Sequence, residues 1–420
     1  MTATQTQPVN PVTGAPVSAP NAMPLPSNEL EQLYMTLLVI QPSPFCNINC
    51  DYCYLPDRGN KTRMTFETLE NVMGKVFDSG MVGPPFTLLW HAGEPLAVPL
   101  KWYEEAFEII NRFPNAKQLV EHNFQTNGTL VNQKWIDFIL KHKIEVGVSI
   151  DGPEFIHDHH RKTRKGGGTH AKAMRGYKML REAGVNPGVV SVISDIAVDH
   201  PDEIYDFFIE NDINGVGFNI EEVEGANASS SLGDVNMDGD ERIRRFLTRI
   251  YDRNKADGFP LRIREFETAK MNILEPHMTH MPDGRYYNSE TDPFGMINVD
   301  CFGNFSTFSP ELLGQPTEKY GTFNFGNVIK HSFFDATKNK AFQQVLEDID
   351  AGNRKCAESC PFWNYCGGAS PSNKYYENGT FDSTETANCR STVQIPLEIV
   401  LEDLEHDLQL PAVPIPNADS

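Results

Sequence analysis

Eight cysteines constrain this 420-residue chain more than any other feature. Seven fall into two groups, and Cys301 lies alone between them. The first group has the spacing C-x3-C-x2-C; the second has C-x3-C-x5-C, with one more cysteine 23 positions later. Clustered thiols in a reducing cytosol are more often metal ligands than disulfides. The spacing therefore predicts two metal centres, with ligands at Cys46, Cys50, Cys53, Cys356, Cys360, Cys366 and Cys389.

Composition and charge exclude several classes of function. Lys and Arg number 36 and Asp and Glu number 57, which gives a net charge of −21. A chain with this net negative charge is unlikely to bind nucleic-acid phosphates or anionic lipids by non-specific electrostatic attraction. No apolar run approaches the length of about 20 residues that crosses a bilayer, and the first basic residue is Arg58, so a signal-peptide n-region is missing. We expect a cytoplasmic protein that binds neither nucleic acid nor a membrane.

From Tyr34 onward, short apolar runs alternate with segments of helical periodicity. Six of the apolar runs are predicted strands. Because two consecutive parallel strands need a crossover connection, usually a helix, this alternation predicts an α/β fold. We expect an open, partial (β/α)6 barrel, although a flat doubly wound sheet would give the same pattern. The strands are predicted at 37–40, 86–91, 119–126, 144–150, 188–193 and 215–221, and the helices behind a Thr65 cap and near 101–112, 132–141, 169–183 and 200–210.

The rest of the chain divides by composition. The Pro-rich segment 1–33 has no apolar period and is predicted to be a disordered arm. Helices are expected near 240–257, 266–278, 333–349 and 394–408, with hairpins in the Gly- and Asn-rich stretch 295–328. The predicted units are the arm at 1–33, the partial barrel at 34–235, a helical bridge at 236–296, the second cysteine region at 297–395, and a helix and tail at 396–420.

Alternation within the strands assigns side chains to the two faces of the sheet. Ile144, Val146, Val148 and Ile150 share the face that packs on helices, so Ser149 lies on the other. By the same alternation, Gln125 and Asn127 lie on the face of the sheet away from Phe124. Asn219 and Glu221 likewise lie on the face away from Phe218. Parallel α/β proteins bind ligands at the carboxyl ends of their strands, which is where these polar residues occur.

The first cysteine group predicts an iron–sulfur site with an open position. Three thiolates on one loop can hold three irons of a [4Fe–4S] cube, and no fourth cysteine lies nearby. An open position is what separates a substrate-binding metal site from a closed, structural one. A structural zinc loop is the alternative.

The segment CNINCDYC resembles the signature of radical S-adenosylmethionine (SAM) enzymes. In that family the open iron binds the amino and carboxylate groups of SAM, and the aromatic before the third cysteine lies near the adenine. HAGEP, QTNGT and SIDGP resemble the stretches that reach the ammonium, sugar and carboxylate of SAM, with an alanine in place of the first glycine of Gly-Gly-Glu-Pro. The resemblance implies SAM contacts at Tyr52, Ala92, Gly93, Glu94, Pro95, Gln125, Asn127, Ser149, Asp151 and Arg161.

Simpler interpretations exist for several of these stretches. Gly93-Glu94-Pro95 and Asp151-Gly152 are also typical of plain turns. The run His157–His160 suggests a metal site, but adjacent histidines do not share one face, which favours a solvated loop. Arg161 and Arg164 would in that case belong to the loop surface or pair with a carboxylate.

Four thiolates in the second group would saturate a [4Fe–4S] cube and fit it for electron transfer. A four-cysteine zinc site is the alternative. This region resembles the SPASM extension of radical SAM peptide-modifying enzymes, where two auxiliary clusters are usual. Ser370 stands where another ligand is expected beyond Cys366, so we expect at least one auxiliary [4Fe–4S] cluster, the outer one, and an isolated, inert thiol at Cys301.

Across residues 34–395 the sequence resembles one particular subgroup of these enzymes. Stretches such as GFNIEEVEG and CGGASPSNKYYENGTF are similar to the cyclophane-forming, radical SAM/SPASM maturases of Gly-rich-repeat peptides. What this implies is a ribosomal precursor peptide as substrate, a reducing flavodoxin or ferredoxin system, and a carbon–carbon bond from an aromatic ring to the β-carbon of a residue two positions on. Glu221, Glu222 and Asp292 are candidate proton acceptors, with ordinary surface positions as the alternative.

Two other functions remain open at this point. One is oxidation of a Cys or Ser side chain, as in anaerobic sulfatase-maturing enzymes. The other is a non-catalytic iron–sulfur electron carrier, which would not need the HAGEP and QTNGT stretches.

Overall fold

The computed structural model describes residues 34–83, 85–233, 237–276 and 286–408. The predicted disordered arm at 1–33 and the chain after residue 408 lie outside the described residues. In the described part, no helix is both long and apolar enough to span a bilayer.

The strands confirm the predicted alternation to within about two residues at each end. They are β1 (Leu37–Ile40), β2 (Ile48–Cys50), β3 (Phe86–Trp90), β4 (Val120–Thr126), β5 (Glu145–Ser149), β6 (Arg161–Thr163), β7 (Gly188–Ile193), β8 (Gly215–Ile220), β9 (Arg262–Ile263), β10 (Met296–Val299), β11 (Asn304–Thr307) and β12 (Gly326–Asn327).

The helices begin where caps and periodicity place them. Thr65, for example, accepts a hydrogen bond from the backbone of Thr68 and caps the first helix. The helices are α1 (Phe66–Asp78), α2 (Leu100–Ile110), α3 (Ala116–Leu119), α4 (Gln133–His142), α5 (Glu154–His160), α6 (His170–Glu182), α7 (Pro201–Glu210), α8 (Met237–Ala256), α9 (Arg264–Leu274), α10 (Lys340–Ser359), α11 (Trp363–Cys366), α12 (Pro371–Asn378), α13 (Ala387–Cys389) and α14 (Ile395–Leu408), with 3-10 turns at Pro95–Ala97 and Phe333–Lys338 and a π-helical turn at Arg390–Gln394.

The six predicted strands are mutually parallel neighbours in a ten-stranded sheet, in the order β1-β3-β4-β5-β7-β8, and β10 and β9 extend the parallel part at its two ends. Spatial order follows chain order without a reversal, whereas a doubly wound sheet reverses at a switch point. The sheet does not close, because β10 pairs with β1 and β9 pairs with β8 at the two ends. The open, partial (β/α)6 barrel is therefore confirmed.

Trp90, the last residue of β3, is fully buried. Its ring makes edge contacts with Trp102 and Tyr103 of α2, with centroids 5.9 and 5.3 Å away. Aromatic pairs in this geometry stabilise a core beyond the area they bury. The packing fixes the point at which the HAGEP stretch leaves the sheet.

The predicted solvated loop at His157–His160 is wrong, because these residues end helix α5. His157 and His160 are three positions apart and share one helical face, which is buried at 1% and 8% exposure. The prediction considered only adjacent histidines and missed this i, i+3 pair.

The second cysteine region continues the same sheet and then turns helical. β10 and β11 form the predicted hairpin beside β1, so the sheet crosses the predicted domain boundary at 296–297, and the division into units remains a prediction. Helix α10 runs ten residues past the predicted end at 349 and carries Cys356 in its last turn. Helix α14 packs against α8 and α9.

Candidate active site

The loop after β1 brings Cys46, Cys50 and Cys53 together. Its middle forms strand β2, which pairs with β6 so that Cys50 lies opposite Arg161. The pKa of Cys46 is raised to about 12 and that of Cys50 to about 11, mainly by burial and in part by neighbouring thiols. These thiols need a bound metal to become thiolates, and metal binding would release their protons.

Two arginines hold this loop through its backbone. Arg58 Nη1 donates to the carbonyl oxygen of Cys50 over 2.8 Å, and Arg164 Nε donates to that of Cys46 over 2.8 Å. Arg164 also contacts the carbonyl of Arg58. Arg58 was not predicted as a site residue, and Arg164 was expected either to pair with a carboxylate or to lie on a loop surface.

The HAGEP stretch packs directly on the chain that precedes Cys46. The backbone N–H of Glu94 donates to Phe45 O over 2.9 Å. A β-carbon at Gly93, where φ is +134°, would lie 2.3 Å from Ser43 O, so only glycine fits. Ala92 also has a left-handed backbone, with φ of +61°.

Glu94 is buried at 1% exposure and holds three neutral donors. Its carboxylate accepts from Leu96 N over 2.9 Å, Thr126 Oγ1 over 2.6 Å and Asn127 N over 2.8 Å. Burial raises its pKa to about 7, and these hydrogen bonds oppose the rise. The site thus holds a carboxylate whose protein partners carry no positive charge.

The QTNGT stretch reaches the same loop from β4. Asn127 Nδ2 lies 3.8 Å from Cys46 Sγ and 2.9 Å from Asn47 Oδ1. Gln125 Nε2 donates to Ser149 Oγ over 3.1 Å. The structure therefore places the three polar side chains that alternation assigned to the ligand face on one side of β4 and β5.

Asp151 is the centre of a buried network. It accepts from Arg161 Nε over 2.8 Å and Nη2 over 3.0 Å, from the Tyr52 hydroxyl over 2.5 Å, and from Val192 N over 2.9 Å. Although burial works in the opposite direction, the guanidinium of Arg161 keeps the pKa of Asp151 below its usual value. With these four hydrogen bonds, the carboxylate is fully engaged by the protein.

The second cysteine group draws its thiols from three helices and from the residue that caps the first of them. Cys356 is in α10, Cys360 follows it, Cys366 ends α11 and Cys389 ends α13. Burial raises the pKa of Cys360 to about 12, and the other three thiols add to the rise. Cys301 is separate: after burial, the neighbouring charge that raises its pKa is Asp300 and not another thiol.

The spacing of the sulfur atoms argues against a single zinc ion at either group. Four sulfurs around one tetrahedral zinc lie about 3.8 Å apart, given a Zn–S bond of about 2.3 Å. Among the described residues, the one group of three or more potential ligands within 4.8 Å of each other is His159, His160 and Asp195. Both cysteine groups are wider, as a four-iron cube requires.

A four-glutamate cluster lies between the two cysteine groups: Glu222, Glu224, Glu290 and Glu311. Burial raises the pKa of all four, to about 7 for Glu290. Glu222 and Glu224 hydrogen-bond each other, and after burial the charge of Glu222 is the largest contribution to the raised pKa of Glu224. The expectation of an ordinary surface position is wrong for Glu221 as well, which is 7% exposed.

Polar contacts connect this cluster to both cysteine groups. On one side, the backbone N–H of Ala226 donates to the carbonyl oxygen of Tyr54, the residue after Cys53, over 2.7 Å, so the turn that follows Glu224 lies against the first cysteine loop. On the other side, Ser372 Oγ donates to Glu224 over 2.8 Å and lies 2.9 Å from Ser370 Oγ. Ser370 in turn bonds Glu290, and a cavity of about 190 Å³ is lined by Glu290, Ser370 and Cys366.

Comparison with known proteins identifies the family. The sequence profile of the radical SAM superfamily matches residues 40–208. An uncharacterized protein of Synechocystis sp. is 42% identical over 380 residues, covering 89% of this chain and 93% of that protein. The chain belongs to the radical SAM superfamily. Its cofactors are accordingly SAM, a [4Fe–4S] cluster that binds it, and at least one auxiliary [4Fe–4S] cluster.

More distant radical SAM proteins match part of the chain or its fold. The serine-type anaerobic sulfatase-maturating enzyme of Bacteroides thetaiotaomicron is 34% identical over 179 residues, 41% of this chain and 43% of that enzyme. Native anSMEcpe with bound AdoMet and Cp18Cys peptide superposes with a TM-score of 0.71 at 21% identity, over 89% of this chain and 99% of that one. Streptococcus suis SuiB bound to S-adenosylmethionine gives 0.59 at 18% identity, over 85% and 77%. At these identities the structures show a shared fold.

Proposed function

We propose that this enzyme is a peptide maturase that joins an aromatic ring carbon to the β-carbon of a residue two positions away in a ribosomally made precursor, forming a three-residue cyclophane. A flavodoxin or ferredoxin would supply electrons. The single observation that carries the proposal is the position of the four-glutamate cluster between the two cysteine groups, with the turn after Glu224 bonded to Tyr54 and Glu224 itself bonded to Ser372. Crosslinking removes two hydrogens from the peptide, so it needs both an electron acceptor and a proton acceptor near the substrate.

The first cysteine loop is proposed to hold the SAM-binding cluster. Cys46, Cys50 and Cys53 would hold the cluster, which when bound and reduced would supply the electron for cleavage of SAM and hence the 5′-deoxyadenosyl radical that would take a β-hydrogen from the peptide. Glu94 is suited to the SAM ammonium because its present partners are all neutral donors, so a cation would balance its charge. The further contacts proposed are Tyr52, Ala92, Gly93, Pro95, Gln125, Asn127, Ser149, Asp151 and Arg161.

Asp151 is assigned a positioning role within that set. Its oxygen atoms are occupied by Arg161, Tyr52 and the backbone of Val192. It therefore fixes the ring of Tyr52 and the guanidinium of Arg161, whose carbon lies 5.4 Å from the ring centroid.

The hydrogen-bonded pair Glu222–Glu224 is proposed as the proton acceptor. Restoring aromaticity after ring attack releases one proton and one electron. Burial raises the pKa of both carboxyl groups, which suits a general base acting near neutral pH. Ser372 holds Glu224 in place, and the electron would pass to the four-thiolate group at Cys356, Cys360, Cys366 and Cys389.

The test is anaerobic co-expression with a short Gly-rich precursor gene, taken from beside the enzyme's own gene. Mass spectrometry should show loss of two hydrogens per crosslink, with fragmentation blocked between an aromatic residue and its partner. A precursor labelled with ring-deuterated aromatic residues should lose one ring deuterium per crosslink. An unchanged peptide, while SAM is being cleaved to 5′-deoxyadenosine, would contradict the proposal.

Side-chain oxidation of Ser or Cys is the second candidate, favoured by the 34% identity to the Bacteroides enzyme over 179 residues. Oxidation of a serine also removes two hydrogens, so mass alone does not separate the two. It would leave every ring deuterium in place and produce an aldehyde that reacts with hydrazide reagents. Either result decides between the two reactions.

A further inference from the structure

Lys374 is a buried cation within the second cysteine group. It lies in helix α12 at 2% exposure, and its Nζ is 3.5 Å from Cys356 Sγ. Sequence reasoning gave this residue no role.

The burial of Lys374 requires a compensating negative charge. Removing an ammonium from water costs several kcal/mol unless it is paired. Among the described residues, no carboxylate forms a salt bridge with Lys374; by contrast, Lys355 beside the same cysteine is half exposed and pairs with Asp382 over 2.9 Å. The anion available to Lys374 is therefore the group of thiolates.

We propose that Lys374 is a positioning residue for the auxiliary cluster. Lys374 donates a hydrogen bond to Cys356 Sγ and thereby raises the reduction potential of the cluster. Adding an electron makes a thiolate-bound cluster more negative, and a fixed positive charge and an N–H donor at the sulfur stabilise that form. Lys374 thereby makes the cluster a better electron acceptor. The inference concerns the cluster itself and holds for either peptide modification considered above.

The experiment compares Lys374→Met, which keeps length and removes charge, with Lys374→Arg, which keeps both charge and donor. Full-length protein is reconstituted with iron and sulfide without oxygen, and the potential of each cluster is followed by EPR during a redox titration. In Lys374→Met the ratio of oxidised to reduced auxiliary cluster, measured at a fixed potential, should rise about tenfold. This corresponds to a fall of about 59 mV in the one-electron reduction potential of the cluster. Lys374→Arg and the exposed control Lys355→Met should stay near wild type.

A second variant, Lys374→Gln, keeps an N–H donor without charge and covers the case in which Lys374→Met loses iron. An intermediate potential in Lys374→Gln supports the proposal, as does loss of the cluster in both neutral variants with retention in Lys374→Arg. A wild-type potential in a fully loaded neutral variant would overturn it. So would loss of the cluster in all three variants, which would indicate a purely structural lysine. The spontaneous SAM cleavage rate reports separately on the first cluster.

Discussion

The two cysteine groups hold their thiols by different means. The first takes three cysteines from a single loop and is fixed through backbone carbonyls by Arg58 and Arg164. The second takes four cysteines from three helices and one cap residue and has a lysine at a sulfur atom. In the first group, the cation nearest the thiols, Arg161, is already balanced by Asp151.

This difference shows how one chain can separate two electronic tasks. Cations that bind carbonyls or carboxylates orient a loop, and a paired carboxylate offsets part of their charge, as Asp151 does for Arg161, which would suit a cluster that gives an electron to SAM. A buried cation at a sulfur favours the reduced state instead, which suits an acceptor. The four-glutamate cluster lies between them, where the proposed crosslinking would release a proton.

The largest predicted effect separates the two groups by cysteine substitution. Cys46→Ser should lower 5′-deoxyadenosine formation by more than about 100-fold, since it removes a cluster ligand. Cys360→Ser should keep SAM cleavage within a few-fold and lose crosslinking. Both are measured by chromatography of 5′-deoxyadenosine and mass spectrometry of the peptide.

Cys301→Ser is the matched control, because Cys301 is buried but lies apart from other thiols. It should leave iron content and both activities unchanged. Equal loss of SAM cleavage in Cys46→Ser and Cys360→Ser would remove the functional distinction between the groups.

The next effect concerns SAM affinity and pH. Glu94, with its pKa raised to about 7 by burial, becomes protonated as pH falls from 8 to 6. SAM binding should weaken over that range, by up to tenfold per unit, because the neutral carboxyl no longer pairs with the ammonium. Glu94→Gln should weaken binding at pH 8 by roughly 30-fold or more, since losing one partner of a buried charge pair costs about 2–5 kcal/mol, and should abolish the pH dependence.

Anaerobic calorimetry at several pH values measures this directly. Thr126→Val removes a hydroxyl donor to the same carboxylate without changing any charge. It should retain the pH dependence. A wild-type SAM affinity in Glu94→Gln would show that Glu94 serves the loop structure alone.

The raised pKa of Glu94 has the opposite effect on folding: as pH rises, SAM binding should strengthen, whereas the contribution of Glu94 to the stability of the fold should fall. A carboxyl group with a pKa near 7 when folded and near 4.5 when unfolded binds its proton more tightly in the folded state. Its contribution to stability is present below about pH 4.5 and is lost as pH rises to about 7. SAM binding above pH 7 would offset that loss.

Local patterns explain why much of the fold was predictable. Strand periodicity located the six parallel strands, and alternation put Gln125, Asn127 and Ser149 on one face before their contacts were known. Long-range docking was not predictable in this way. The bond between Glu224 and Ser372 joins residues 148 positions apart, and the burial of Lys374 likewise depends on how distant segments pack, which no short window of sequence records.

A smaller effect is predicted at the backbone contact that is specific to the first group. Arg164→Met removes the donor to Cys46 O and should weaken iron retention about tenfold, as expected for a residue that orients a metal ligand. Iron release to a chelator under anaerobic conditions measures it. Arg175→Met, at an exposed position of α6, should have no effect; equal release from both variants would assign the change to surface charge.

The smallest effect tests the alanine that replaces the first glycine of the family's Gly-Gly-Glu-Pro stretch. Ala92 has φ of +61°, a left-handed conformation that costs a residue with a β-carbon about 1–2 kcal/mol. Ala92→Gly removes that strain. The substitution also increases the conformational entropy of the unfolded chain, which reduces the gain in the free energy of unfolding by about 0.4–1 kcal/mol. The net gain should be up to about 1 kcal/mol in denaturant unfolding of the metal-free protein. Ala171→Gly in helix α6 should instead lose up to about 1 kcal/mol. Destabilisation by both substitutions would mean that the surrounding contacts already hold Ala92 without strain.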